Sequence, residues 1–167
     1  SLKELKKGWF NSLSFLSKIS IPPSNNIFKF KDNKYLLGKS DENKKDFDIV
    51  LFAVSDIETF SIPSNIKIIS SRAFSGIDIR RVEIPRNSKL QLIESRAFAL
   101  SNIKEIFIPP NVSKICKSAF NGCSNLRKIV IPKNSNLQTI ESNAFSDTEI
   151  REIYFPASLK ELKERWC

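Results

Sequence analysis

The sequence predicts a repeat solenoid, mainly β, with one short strand per coil forming a parallel sheet. Three observations predict it. First, Ile-Pro recurs at Ile62, Ile84, Ile108 and Ile131 and becomes Phe155-Pro156, in steps of 22, 24, 23 and 24 residues. Second, an aromatic landmark precedes each later dipeptide: Ala73-Phe74, Ala97-Phe98, Ala119-Phe120 and Ala144-Phe145. Third, the residues before Ile-Pro place inward apolar positions two apart, as at Ile106 and Ile108, the period of a strand. A fixed period of this size marks stacked structural units, none of which can bury its apolar face alone.

One coil shows how the elements arise. In Ile103-Lys104-Glu105-Ile106-Phe107-Ile108, Ile106 and Ile108 point one way and Phe107 the other. Pro109 has no N–H to give and ends the ladder. Pro110-Asn111 turns the chain; Val112 and Ile115 form a second apolar edge and Ala119-Phe120 a third. The Phe stands ten residues before the landmark in three units and eleven in the unit of Phe120, which has an extra residue around Asn121-Gly122-Cys123. Three residues after the landmark Ile or Phe155 stand Ser24, Asn65, Asn87, Asn111, Asn134 and Ser158. Small side chains that bond the backbone suit a stacked turn. Asn111 also heads the one Asn-x-Ser sequon, which a secreted eukaryotic parent would glycosylate.

These residues carry a resemblance. The pattern L/I-x-x-I-x-I-P-x-x-V/L-x-x-I-x-x-x-A-F resembles the BspA-like leucine-rich repeats of bacterial and protozoan surface antigens. Residues 111–132 match it best, including Cys123 after Ala119-Phe120. The likeness covers roughly residues 1–25 and 48–167. Other repeats put polar or small residues at the Cys123 position, so this is a packing site. The resemblance implies a cell-surface or extracellular protein used for adhesion or host-molecule binding.

The chain is expected to form a single leucine-rich repeat domain over 1–167, with an irregular insertion at 26–50. Within the insertion, Ile27-Phe30, Tyr35-Leu37 and Ile49-Leu51 read as short strands around the charged turn Asp41-Asp46. They suggest a β-hairpin elaboration on one side of the solenoid. Phe52, ten residues before Ile62, takes the place of the landmark Phe. The ends match: Ser1-Leu2-Lys3-Glu4-Leu5-Lys6 returns as Ser158-Leu159-Lys160-Glu161-Leu162-Lys163, Trp9 as Trp166, and Cys167 falls at Phe10. With no initiator Met and no polar cap in view, the chain is expected to be a piece of a longer repeat protein, able to self-associate through uncapped ends.

Composition narrows the function. Histidine is absent, which removes the commonest general base and metal ligand. The three cysteines, Cys116, Cys123 and Cys167, have no CxxC spacing, and none has a histidine to activate it. None of the four glycines forms a phosphate loop. Neither enzyme activity, nor a metal, nor a cofactor is expected. No apolar run approaches the ~18 residues that span a bilayer, so this segment is not expected to insert in a membrane. The net charge of +9 favours acidic partners.

Three outward columns are candidate binding surfaces. The residue between the two inward strand positions is Ser20, Ser61, Glu83, Phe107, Val130 and Tyr154 in successive coils. The last three would stack as an apolar strip, which marks an interaction site unless it only reflects strand propensity. The next column, Arg81, Glu105, Lys128 and Glu152, alternates in sign and reads as stabilising. Beside it run Arg80, Lys104, Arg127 and Arg151, all of one sign. An acidic partner would relieve their repulsion; the plainer reading is a solvated rim.

The leading reading is a surface module that binds an extracellular or host protein through Phe107, Val130 and Tyr154. The alternatives are an acidic glycan or other polyanion held by Arg80, Lys104, Arg127 and Arg151, or a structural spacer in a long surface protein. No nucleic acid is expected, because the charge is dispersed and no recognition motif occurs.

Overall fold

Two runs of hydrogen-bonded strands wind around one apolar core. The computed structural model describes Leu5 and residues 19–54 and 57–167. β1 (Phe28–Lys31) and β2 (Tyr35–Gly38) form an antiparallel hairpin, and β2 pairs antiparallel with β3 (Ile49–Ala53). Each of the next four coils then supplies two strands, and the last coil supplies one. The landmark strand gives β4 (Thr59–Ser61), β6 (Arg81–Glu83), β8 (Glu105–Phe107) and β10 (Lys128–Val130). The apolar edge after the Pro turn gives β5 (Ile68–Ile69), β7 (Leu92–Ile93), β9 (Lys114–Ile115), β11 (Thr139–Ile140) and β12 (Glu161–Leu162).

The expected strand per coil and its parallel pairing are present. The second strand adds to the expectation. Its two-residue length is too short for alternation to show, so the sequence presents it only as an apolar edge. Yet it builds the larger sheet, in the order β1-β2-β3-β5-β7-β9-β11-β12. The hairpin is therefore not a side ornament. It extends this sheet in line, and β1, the first strand in that order among the described residues, exposes Lys29 and Lys31.

The landmark phenylalanines occupy the centre. Phe74, Phe98, Phe120 and Phe145 are buried, with successive ring centroids 5.0, 5.2 and 5.1 Å apart and planes within 6° of parallel. Backbone bonds set this spacing: Phe74 N–H to Ala97 O at 2.7 Å, then Phe98 to Ala119 and Phe120 to Ala144, both at 2.8 Å. The ring packed on Phe74 at 5.0 Å is that of Phe60, from the landmark strand, tilted by 54°. The expectation that Phe52 fills the landmark place is thus corrected. Ala53, not Phe52, donates its N–H to Ala73 O, so this coil presents a methyl where later coils present a ring. At the other end Trp166 meets Phe145 edge-on at 6.5 Å. The matching of Ser1-Lys6, Trp9 and Phe10 to the last coil lies outside the described residues.

Each coil turns twice through left-handed backbone. Arg72, Arg96, Ser118, Asn143 and Arg165 form one column of positive φ; Gly76, Leu100, Gly122 and Asp147 form a second. The extra residue near Cys123 is taken up there, where Ser124 N–H bonds Gly122 O at 2.9 Å. The turn column behaves as its side chains suggest. Asn65 Nδ2 donates to Phe47 O, Asn111 Nδ2 to Ser88 O, and Ser158 Oγ to Ser135 O, each reaching the preceding coil.

Among the described residues, buried charge appears at one place, between β2 and β3. The Asp48 carboxylate accepts the Ser40 N–H and hydroxyl, both at 2.8 Å, and pairs with Lys44 at 2.6 Å. Burial raises its pKa, but the bonds from Lys44 and Ser40 outweigh that and hold it below the usual carboxylate range. The charged turn read at Asp41-Asp46 is thereby fastened to the sheet.

Candidate functional site

The landmark strands alternate as designed: Phe60, Val82, Ile106 and Ile129 point inward and are buried, while most of their neighbours are exposed. Ser61 sits opposite Glu83, and Phe107 opposite Val130. Phe107 is half-buried against the core; Val130 is 39% exposed and Tyr154 73%. Phe107 and Val130 stand side by side on paired strands. Tyr154 belongs to the next coil, where residues 152–154 carry no strand ladder. Its hydroxyl donates to Glu152 Oε1, and that bond and the negative charge raise its pKa.

The alternating column is in register: Arg81 lies opposite Thr59 and Lys128 opposite Glu105. The basic column is ordered by backbone bonds, from Lys104 N–H to Arg80 O at 3.3 Å and from Arg127 N–H to Lys104 O at 3.0 Å. Half of its charge is already met. Arg80 pairs with Asp78 at 3.4 Å and Glu58 at 3.7 Å, and Arg127 with Glu149 at 2.8 Å. Among the described residues, Lys104 and Arg151 make no ion pair.

A polar ladder flanks this column. Asn102 Nδ2 donates to Asp78 Oδ1 at 2.7 Å, and Asn125 Nδ2 to Asn102 Oδ1 at 3.2 Å. The Asn102 bond above all, with Arg80 beside it, holds the Asp78 carboxyl below its ordinary range. Sequence reasoning did not single these residues out. The signal was available: Asp78, Asn102, Asn125 and Glu149 each stand two residues before a member of the basic column.

The landmark strands form two separate ladders, β4-β6 and β8-β10. At their junction lie two shallow clefts. One, of about 200 Å³, is walled by Val82, Ile106, Phe107 and Val130 with Arg81, Glu83 and Glu105. The other, of about 360 Å³, is walled by four cations, Arg80, Arg81, Lys104 and Lys128, against Glu58 and Glu105. The apolar and basic surfaces thus share Arg81 and Glu105.

The cysteines hold no such cluster. Cys123 is buried, its thiol donating to Phe98 O at 3.0 Å, and burial pushes its pKa up, as suits a packing residue. By rough alignment Cys116 is expected opposite Ile69, Ile93 and Glu141; the register keeps Glu141 but not the two isoleucines. Ile115 is the partner of Ile93 and Ile140, so Cys116 follows Glu94 and Glu141 in its column. Among the described residues no group of His, Cys, Asp and Glu could hold a metal, and no helix is long and apolar enough to cross a membrane.

The family model for the BspA type leucine rich repeat region matches residues 46–166 in six copies. The chain belongs to the BspA-type leucine-rich repeat family. Two solved structures share the fold of this BspA-type chain. The pneumococcal vaccine antigen PcpA is 19% identical with a TM-score of 0.62, over 83% of this chain and 46% of that one. A leucine-rich repeat protein from Eubacterium ventriosum is 18% identical with a TM-score of 0.55, over 92% of this chain and 52% of that one. This chain therefore spans about half the length of the structures it matches. No curated protein matches it.

Proposed function

We propose that this BspA-type segment is a non-catalytic binding module, displayed at the cell surface, that recognises an extracellular or host protein through its landmark-strand face. One observation carries the reading: half-buried Phe107 with exposed Val130 and Tyr154 presents apolar surface outward on a face otherwise lined by polar and charged side chains. Apolar and aromatic surface rimmed by polar and charged groups is what protein interfaces use as anchors. The family supports the surface location, and the pneumococcal relative of the same fold is a vaccine antigen.

A second reading rests on the basic column. Lys104 and Arg151 make no ion pair among the described residues, and an acidic glycan could use them. Salt separates the two. Binding of this chain to a panel of extracellular proteins and acidic glycans would be measured at low and high salt, beside a Phe107→Glu/Tyr154→Glu variant. The proposal expects salt-tolerant protein binding that the variant loses. Steeply salt-dependent binding that survives in the variant would replace it with the glycan reading. Absence of binding under both conditions would leave a spacer.

A further inference from the structure

The hairpin carries a second recess, remote in sequence from the face just described. It has a volume of about 710 Å³ and lies between the segment 19–26, β1 and the loop leading into β3. This is the size range of small-molecule sites. Its described wall includes Phe28, Phe30 and Phe47, with the ionisable side chains Lys29, Lys39 and Lys45. Among its described lining residues none is acidic. That contrasts with the landmark-strand clefts, where carboxylates offset the cations. Asp41, Glu42 and Asp46 belong to the same loop but are exposed and outside the wall.

Two features order the rim without spending its charge. Asp48 is buried and fastens the loop through Ser40 and Lys44. Its negative charge is met by Lys44, which does not line the recess, so Lys39 and Lys45 are not its ion-pair partners. Phe47 is fixed by its own carbonyl, which accepts Asn65 Nδ2 at 2.7 Å, and Lys39 Nζ lies 5.3 Å from the centre of its ring. Attraction to the ring face holds the Lys39 ammonium at the recess.

We propose that this recess binds a small amphiphilic organic anion, with a carboxylate or sulfonate facing Lys39 and Lys45 and an aromatic or aliphatic body against Phe28, Phe30 and Phe47. The inference is independent of the protein-binding reading, since the two sites share no residue.

The test uses naphthalene-2-carboxylate as probe, with neutral 2-naphthol and inorganic sulfate beside it, followed by amide chemical shifts of the 167-residue chain. The expected result is saturable shifts confined to residues 19–30 and 39–47 with the carboxylate. Affinity should be about tenfold weaker for 2-naphthol and for a Lys39→Ala/Lys45→Ala variant whose spectrum is otherwise unchanged. Phe107→Glu/Tyr154→Glu should leave the binding intact. The proposal is overturned by absence of shifts up to millimolar probe, by equal affinity for 2-naphthol, or by an equal response to sulfate alone. Shifts centred on Phe107 and Val130 would overturn it too.

Discussion

The two halves of the larger sheet reach the same architecture by different means. From Phe74 to Phe145 every coil repeats one solution, and the rings stack nearly parallel at an even spacing. From β1 to β3 the chain doubles back, and Tyr35, Phe60 and Phe74 meet at 85° and 54° instead. The difference teaches what the period does. In the repeating half, the backbone bonds between successive landmark residues impose the same offset on each ring even though coil length varies, because the extra residue is taken up in a turn. Where the hairpin interrupts the repeat, the ring position is filled by a residue from another strand, and a part-buried ion pair replaces repetition as the means of fixing the chain.

Three sets of substitutions would break or sharpen this contrast. The largest effect is expected at Phe98, which stacks on rings on both sides. Phe98→Ala should cost about 4 kcal/mol through lost burial and the cavity left behind, read by chemical denaturation. Phe60→Leu should cost less than Phe98→Leu, because the rings around Phe60 are tilted. Equal costs would show that parallel stacking adds nothing beyond burial.

The second effect concerns Asp48. Asp48→Asn should lose about 2–3 kcal/mol at neutral pH, because Lys44 is left beside a neutral amide in a part-buried site. The carboxyl is held below its ordinary value of 3.8. The stability it contributes is therefore present above that value and lost as pH falls through the lower folded pKa. Denaturation of both forms across the acid range should show their difference shrinking as pH falls. A constant difference would mean that Asp48 acts by shape rather than by charge.

The smallest effect lies in the repeating half. Leu100 sits at φ 61° and is 66% exposed, in a column otherwise held by Gly76, Gly122 and Asp147. A left-handed leucine costs about 1 kcal/mol, so Leu100→Gly should raise stability by roughly that amount. The Leu100 side chain also occupies the space beside Gly122, 2.5 Å from where a Cβ would stand. Gly122→Ala should accordingly be better tolerated in the Leu100→Gly background, as a double-mutant cycle in denaturant would show. Additive costs would place the strain in the Gly122 backbone alone.

The repeating half was largely legible in the sequence. Ile106, Ile108 and Phe120 recur at fixed spacing because each must face the same core, and identical physics leaves identical letters. The outward columns were legible for the same reason, since Phe107 and Val130 emerge as strand partners. The second strand was not, because Lys114–Ile115 and its counterparts are two residues long and show no period of their own. Nor was the identity of the ring under Phe74. The ten-residue spacing of Phe52 from Ile62 matched the rule, yet the bond from Ala53 to Ala73 placed a methyl there.

The sequence by itself determined that this chain coils, how long each coil is, which side chains face inward, and which family it belongs to. Each of these repeats at every coil, so a one-dimensional pattern records it. Only the tertiary structure decided where different coils meet: the division of the landmark strands into two ladders, the contact of Arg80 with Glu58 across a 22-residue gap, and the recess walled by residues 19–47. These depend on distances between unlike segments, each occurring once, and a feature that occurs once leaves no period to read.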